Sequence, residues 1–152
     1  MTVSLYLANI TNAIESISIS GVTVMDKDEI SPSWLGQPNV LYPNPNNDGF
    51  VTNFNIRFDS VLQGTNAPMT IGYTLNYRFL GTQVGDLSSF TLAYSNVIDK
   101  VVAIINAVIA VPAPYSGRVE LIVSGVSIGA VADPAGNAYH GADLSFAITE
   151  MQ

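Results

Sequence analysis

The stretch that decides the fold is residues 69–79, "MTIGYTLNYRF", where large apolar side chains alternate with polar or small ones. Alternation with a period of two predicts a β-strand that buries one face. Residues 50–58, "FVTNFNIRF", alternate in the same way, with Phe54, Ile56 and Phe58 on one face. We expect these two strands to pair antiparallel, each with one buried face.

Two further stretches extend the predicted sheet. Residues 118–132 and residues 139–150 both contain alternating apolar side chains, and "DPAGN" at 133–137 lies between them. Proline and glycine in that order are typical of a tight reversal of the chain. A short strand is predicted at residues 22–25 and a short extended piece at residues 40–42.

The sequence also predicts two helices. Apolar residues at spacings of three and four predict an amphipathic helix over residues 2–18, capped by Thr2 or Ser4. A second helix is predicted over residues 88–111, capped by Ser88 or Ser89 and ended by the prolines that follow. Its predicted core face consists of Leu92, Val97, Val101, Ile104, Ile105 and Val108.

The second helix is apolar on more than one face, because Ile98, Val102 and Ile109 fall beside the predicted core face. A helix of this kind is buried on more than one side. It is therefore predicted to pack on the sheet and also on either the first helix or another subunit. The elements together predict a single α+β domain over residues 1–152, with a mostly antiparallel sheet of four to five strands flanked by two main helices.

Composition favours a subunit of an assembly. The 152 residues are 48 % hydrophobic and only 11 % charged, so they carry less charge than a freely soluble monomer usually does. The net charge of -7 argues against a nucleic-acid binder, which needs clustered lysine and arginine. The chain contains no cysteine, and we expect neither a signal peptide nor a membrane-spanning helix.

A long loop is predicted over residues 31–49, which contain four prolines. Its large side chains, Trp34, Leu35 and Tyr42, are unfavourable in water, so they either fold back on the core or meet another chain. We treat these three as candidate interface or docking residues.

Three carboxylates crowd into "DKDE" at residues 26–29, namely Asp26, Asp28 and Glu29. A calcium loop would need a glycine for its turn, and a catalytic pair would need burial, neither of which this stretch offers. We expect a solvated strand exit or a charged patch at a subunit seam, and we count these residues as candidate interface residues too.

The sequence offers no credible active site. His140 is the single histidine, which rules out a metal site built from several histidines, and it is expected at the surface or at a sheet edge. The stretch "SGVSIG" at residues 124–129 lies inside a predicted strand, whereas a nucleophile elbow needs a turn from a strand into a helix. We predict a protein that is not an enzyme and that has no metal or cofactor.

The organisation of the chain resembles a known family. The N-terminal helix leading into "GVTVMDKDEISPSWLGQPNVLYPNP" and "DGFVTNF", and the second helix followed by "VSIGAVADPAGNAYHGADLSFAITE", resemble tail terminator (tail-completion, neck) proteins of long-tailed bacteriophages. The resemblance spans nearly the whole chain and rests on architecture, so it transfers no functional residue.

The resemblance implies a ring, usually of six copies, that caps the tail tube, joins it to the head-tail connector and leaves a channel for DNA. It also implies a virion protein assembled in the host cytoplasm. Ring contacts would cover the apolar excess, and acidic side chains in the channel would repel DNA without binding it. Two alternatives stay open: another phage structural subunit (tail-tube, head-completion or decoration protein), and a carbohydrate- or ligand-binding domain.

Overall fold

The computed structural model describes residues 5–25, 38–44, 49–58, 69–85, 90–115, 117–133 and 135–151. The elements in chain order are α1 (Leu7–Glu15), β1 (Thr23–Val24), β2 (Val40–Pro43), β3 (Val51–Phe58), β4 (Met69–Gln83), α2 (Phe90–Ile109), a 3-10 turn (Ala113–Tyr115), β5 (Val119–Ala132) and β6 (Ala138–Met151). Their combination of two helices with a mostly antiparallel sheet confirms the α+β class.

The sheet has six strands, and its main path runs β1-β2-β4-β6-β5. β3 also pairs with β4, along the half of β4 that β2 leaves unpaired. β1 and β2 are parallel, and every other pairing is antiparallel. The strand count exceeds the predicted four to five because the short β1 and β2 both join the sheet.

Both helices contribute to one core on the same face of the sheet, which we call the helix face. Along β4 every second residue from Ile71 to Phe79 is buried, as the alternation of "MTIGYTLNYRF" predicts. β6 contributes Leu144, Phe146 and Ile148 to the same core. These residues pack against Ile10 and Ile14 of α1 and against Val97, Val101, Ile104 and Val108 of α2.

α1 is shorter than predicted, and its start is fixed by a distant residue. The predicted caps Thr2 and Ser4 are wrong, since the N-cap is Tyr6, whose side chain makes no capping hydrogen bond. Instead the backbone N–H of Tyr6 donates to Oε1 of the fully buried Glu150 at 2.8 Å. The hydroxyl of Tyr73 donates to Oε2 of Glu150 at 2.5 Å, and burial together with this bond raises the pKa of Tyr73.

The reversal between β5 and β6 forms as predicted. The Asp133 carboxylate accepts hydrogen bonds from the backbone N–H groups of Ala135 and Asn137 at 3.0 and 2.9 Å. Gly136 takes a positive φ of 91°, which costs glycine little. β5 and β6 thereby form a hairpin of two fourteen-residue strands.

Candidate subunit interface

α2 carries two apolar stripes. The inner stripe, Val97, Val101, Ile104 and Val108, packs on the sheet and is at most 2 % exposed. The outer stripe consists of Ile98, Val102 and Ile109, each at least 45 % exposed, whereas Ile105 is partly buried against the core, as predicted. Since successive helical residues are separated by about 100°, the outer stripe lies roughly a quarter turn from the inner one. The predicted second apolar face is therefore uncovered within one chain.

Lys100 shows which way the outer stripe points. Its Nζ lies 3.5 Å from the carbonyl oxygen of Gly21, in the connection between α1 and β1. On a helical wheel Lys100 and the outer stripe lie on opposite sides of the inner stripe. Because β1 lies at one end of the sheet path and β5 at the other, the outer stripe faces the β5 edge.

The β5 edge has the features of an open edge. β5 pairs with β6 on one side and has no second neighbour among the described strands. Edge strands are usually protected by proline, lysine or several charges, whereas β5 contains one charged residue, Glu120. It also exposes Ile122, Val126 and Ile128, so both its backbone and its side chains favour a partner strand.

β3 overturns one prediction. Its apolar face was predicted to be buried, but Phe54, Ile56 and Phe58 are 48–58 % exposed. β3 pairs only with β4 among the described strands. A bulge at Asn53, with φ 55°, shifts its register. Val51 at the start of the strand packs against the core, whereas Phe54, Ile56 and Phe58 stay exposed on the helix face.

The opposite face of the sheet, which we call the open face, carries a polar groove of approximately 530 Å³. Arg78 donates two hydrogen bonds to Asp143, at 2.7 and 3.1 Å, and this pairing raises the pKa of Arg78. Asn76 links Thr52 to Ser145 through side-chain bonds at 3.1 and 2.8 Å. These polar groups of the groove are thus bonded to one another.

Only one of the predicted interface residues lies within the described part of the chain. Tyr42 is 1 % exposed and packs with Val40, Leu80 and Tyr139 in a small cluster on the open face. Its ring is therefore folded onto its own domain, the first of the two alternatives, and the structure does not offer it as a docking residue. Trp34, Leu35, Asp26, Asp28 and Glu29 lie outside the described residues.

His140 was expected at the surface or at a sheet edge, but it is buried on β6, which has a neighbouring strand on each side. It is 9 % exposed, lies on the helix face of β6 and contacts the ring of Tyr94 at 5.7 Å between ring centroids. Within the described ranges, no three histidine, cysteine, aspartate or glutamate side chains come close enough together to hold a metal ion.

α2 and its C-terminal turn bear on the membrane prediction. Residues Tyr94–Tyr115 are long and apolar enough to cross a membrane, with mean hydropathy 1.8 in their most apolar window. The apolar run within it, "VVAIINAVIAV" at residues 101–111, is too short for a membrane span by itself and contains Asn106, and Asp99 and Lys100 precede it. The inner stripe packs on the sheet, as in the core helix of a globular domain, so this single segment is weak evidence for membrane insertion.

No protein-family model matches the chain, and no curated protein matches it.

Proposed function

We propose that this chain is a structural subunit of a long-tailed bacteriophage, and that it forms a ring at the neck between the tail tube and the head-tail connector. The observation that carries the proposal is the uncovered apolar surface on α2, β3 and β5. Large exposed apolar side chains grouped on one element of a soluble protein mark interaction sites. A ring supplies each copy with two neighbours, and so covers two different surfaces at once.

The distribution of these surfaces favours a ring over a simple pair. β3 and β5 lie at opposite sides of the sheet, and each exposes apolar side chains. A two-fold dimer joins the same patch on both copies and would leave one of these edges in water. Head-to-tail contacts that close by rotation use both edges in every copy.

The charge of the chain suits a channel through which DNA passes. With a net charge of -7, the ring would repel phosphate groups and would not hold DNA during passage. The proposal includes no catalytic step and no cofactor.

The position in the particle is tested by imaging. Gold label bound to a C-terminal tag is expected at the head-tail junction in electron micrographs of phage particles that incorporate the tagged chain. Label along the tube would identify a tail-tube protein, and label over the head would identify a head-completion or decoration protein. Particles without any label would contradict a role in the virion.

A further inference from the structure

The path of the sheet ends in β1 on one side and in β5 on the other, and each has a single neighbour among the described strands. We propose that β1 of one copy adds as an antiparallel strand to the C-terminal half of β5 of the next copy, beneath the outer stripe of α2. The inference rests on the proposed function and deepens it by assigning the strands that join neighbouring copies of this chain.

Strand direction fits this pairing. β1 is parallel to β2, whereas β2 and β4, β4 and β6, and β6 and β5 are antiparallel, so β1 and β5 of one chain run in opposite directions. A neighbour placed beside the first copy by rotation about an axis along the strands keeps these directions. Its β1 consequently meets β5 antiparallel, as a strand added to an open sheet edge.

β1 projects farther than any other described strand on its side of the sheet. β6 occupies one side of β4, so β2 and β3 both pair with the other side, and β1 pairs with the outer side of β2. β3 is therefore set back from β1 by one strand. A neighbouring β5 meets β1 first and leaves a space one strand wide beside β3.

β1 is level with the part of β5 that lacks cover. Val24 of β1 and Ile128 of β5 lie at the same level of the sheet. Three residues on the intervening strands connect them pair by pair, namely Leu41, Phe79 and Ala142. On the helix face of β5, Val126 and Ile128 are exposed, whereas Val119 and Leu121 in the N-terminal half are buried. The contact is thus expected at the C-terminal half.

The backbone groups of the two edges point outward at matching positions. The N–H groups of Thr23 and Met25 donate to β2 and its preceding residue, so Val24 directs its own N–H and C=O away from β2. The N–H of Asp133 donates across the hairpin, and alternation from there directs the N–H and C=O of Ile128 away from β6. Val24 and Ile128 can therefore exchange two hydrogen bonds when they lie opposite each other.

The outer stripe lies over the same half of β5. Tyr94 contacts His140, the cross-strand partner of Ala130, so the first turns of α2 are level with the C-terminal half of β5. Ile98 follows about one turn after Tyr94, and Val102 about one turn later. These two side chains would lie over β1 of the neighbour, and apolar surface on both copies would leave water.

The contact buries no charge. Residues 125–132 of β5 and residues 23–24 of β1 include no aspartate, glutamate, lysine or arginine. Glu120, the only charged residue of β5, lies in its N-terminal half. Desolvation of charge therefore does not oppose the pairing. A two-fold contact between two β5 strands would leave β1 without a partner on its outer side.

Cysteine pairs test the strands and their height together, because the chain contains no native cysteine. The probes are Thr23→Cys on β1 and Gly129→Cys on β5, which lie opposite each other beside the hydrogen-bonded pair, where side chains approach closely enough for a disulfide. Thr23 is exposed, and a Cβ on Gly129 meets no atom within 4 Å. Brief oxidation of the two mixed single variants is expected to give a disulfide-linked dimer, and the double variant a ladder of oligomers. Each single variant alone should stay uncoupled.

The matched control pairs Thr23→Cys with Ile122→Cys. Ile122 is exposed on the same strand. In the proposed contact it lies about 20 Å farther along β5 from Thr23, so this mixture should give no dimer. Charge gives a second readout: Ile128→Lys should lose the oligomer in sedimentation velocity, whereas Ile122→Lys should keep it. An Ile128→Lys protein that assembles like the parent would contradict the contact.

The proposal is overturned if the mixture of Thr23→Cys and Gly129→Cys gives no dimer, or if the Ile122→Cys control couples equally well. It is also overturned if Gly129→Cys couples to itself, which would indicate a two-fold contact between β5 strands. A ring at the neck without the disulfide would leave the proposed function standing. A disulfide-linked oligomer absent from the neck would support the contact and contradict the proposed function.

Discussion

Replacing Val101 with aspartate is expected to lower the free energy of unfolding by about 3–5 kcal/mol, because an unpaired carboxylate would lie among apolar side chains. Val101 is 2 % exposed and packs between α2 and the sheet. The adjacent Val102→Asp is the matched variant. Val102 is 50 % exposed, so its replacement should change stability by less than about 1 kcal/mol.

The two variants should differ in assembly as well. Val102→Asp is expected to remain folded but to lose the oligomer, because a charge on the outer stripe would be buried against the neighbour without a partner. Urea unfolding measures the free energy of unfolding of each variant, and sedimentation velocity shows whether the oligomer is lost. A Val102→Asp protein that assembles like the parent would show that the outer stripe is not an interface.

The second large effect is expected at Gly141, where two strands approach each other closely. A Cβ added there would lie 2.0 Å from the carbonyl oxygen of Phe79, a backbone atom that cannot turn aside. Gly141→Ala must therefore separate β4 from β6 locally, and we expect a loss of about 3 kcal/mol or more.

Gly129 provides the control, because it is the direct cross-strand partner of Gly141 on β5. A Cβ added to Gly129 would meet no atom within 4 Å. Gly129→Ala should consequently keep the free energy of unfolding within about 1 kcal/mol of the parent. Equal losses in the two variants, measured by urea unfolding, would contradict the close approach of β4 and β6.

Local patterns predicted the strands and helices but not what covers them. β4 and β3 alternate alike in the sequence, yet Tyr73 on β4 is buried and Ile56 on β3 is exposed. The difference is set by position in the sheet, since β4 has neighbours along both sides and β3 lies at an edge. Alternation describes only the two faces of one strand, so it cannot reveal an uncovered edge.

α2 shows a related limit. The sequence showed that the apolar surface of α2 is wide, and the inner stripe was predicted correctly. Leu92, however, was expected in the core and is 49 % exposed. Near the start of the helix the apolar positions alone do not decide which side meets the sheet. The contact with Gly21 that orients Lys100 joins residues far apart in sequence, and no local pattern reports it.

The candidate site residues were harder still to predict. Tyr42 packs with Leu80 and Tyr139, which are brought together only by the pairing of β2, β4 and β6. His140 follows a turn, a position typical of surface residues, but α2 crosses over it and places Tyr94 against its ring. For His140 long-range packing overrides the local expectation, and for Tyr42 it selects one of the two predicted alternatives.

The measurement that tests the central claim most directly is the mass of the purified chain in solution by sedimentation equilibrium. One copy has a mass of 16.2 kDa, and we expect a defined multiple of it, six copies for the ring that the family resemblance implies. A single species of one-copy mass at every concentration would contradict the claim that neighbouring copies cover α2, β3 and β5.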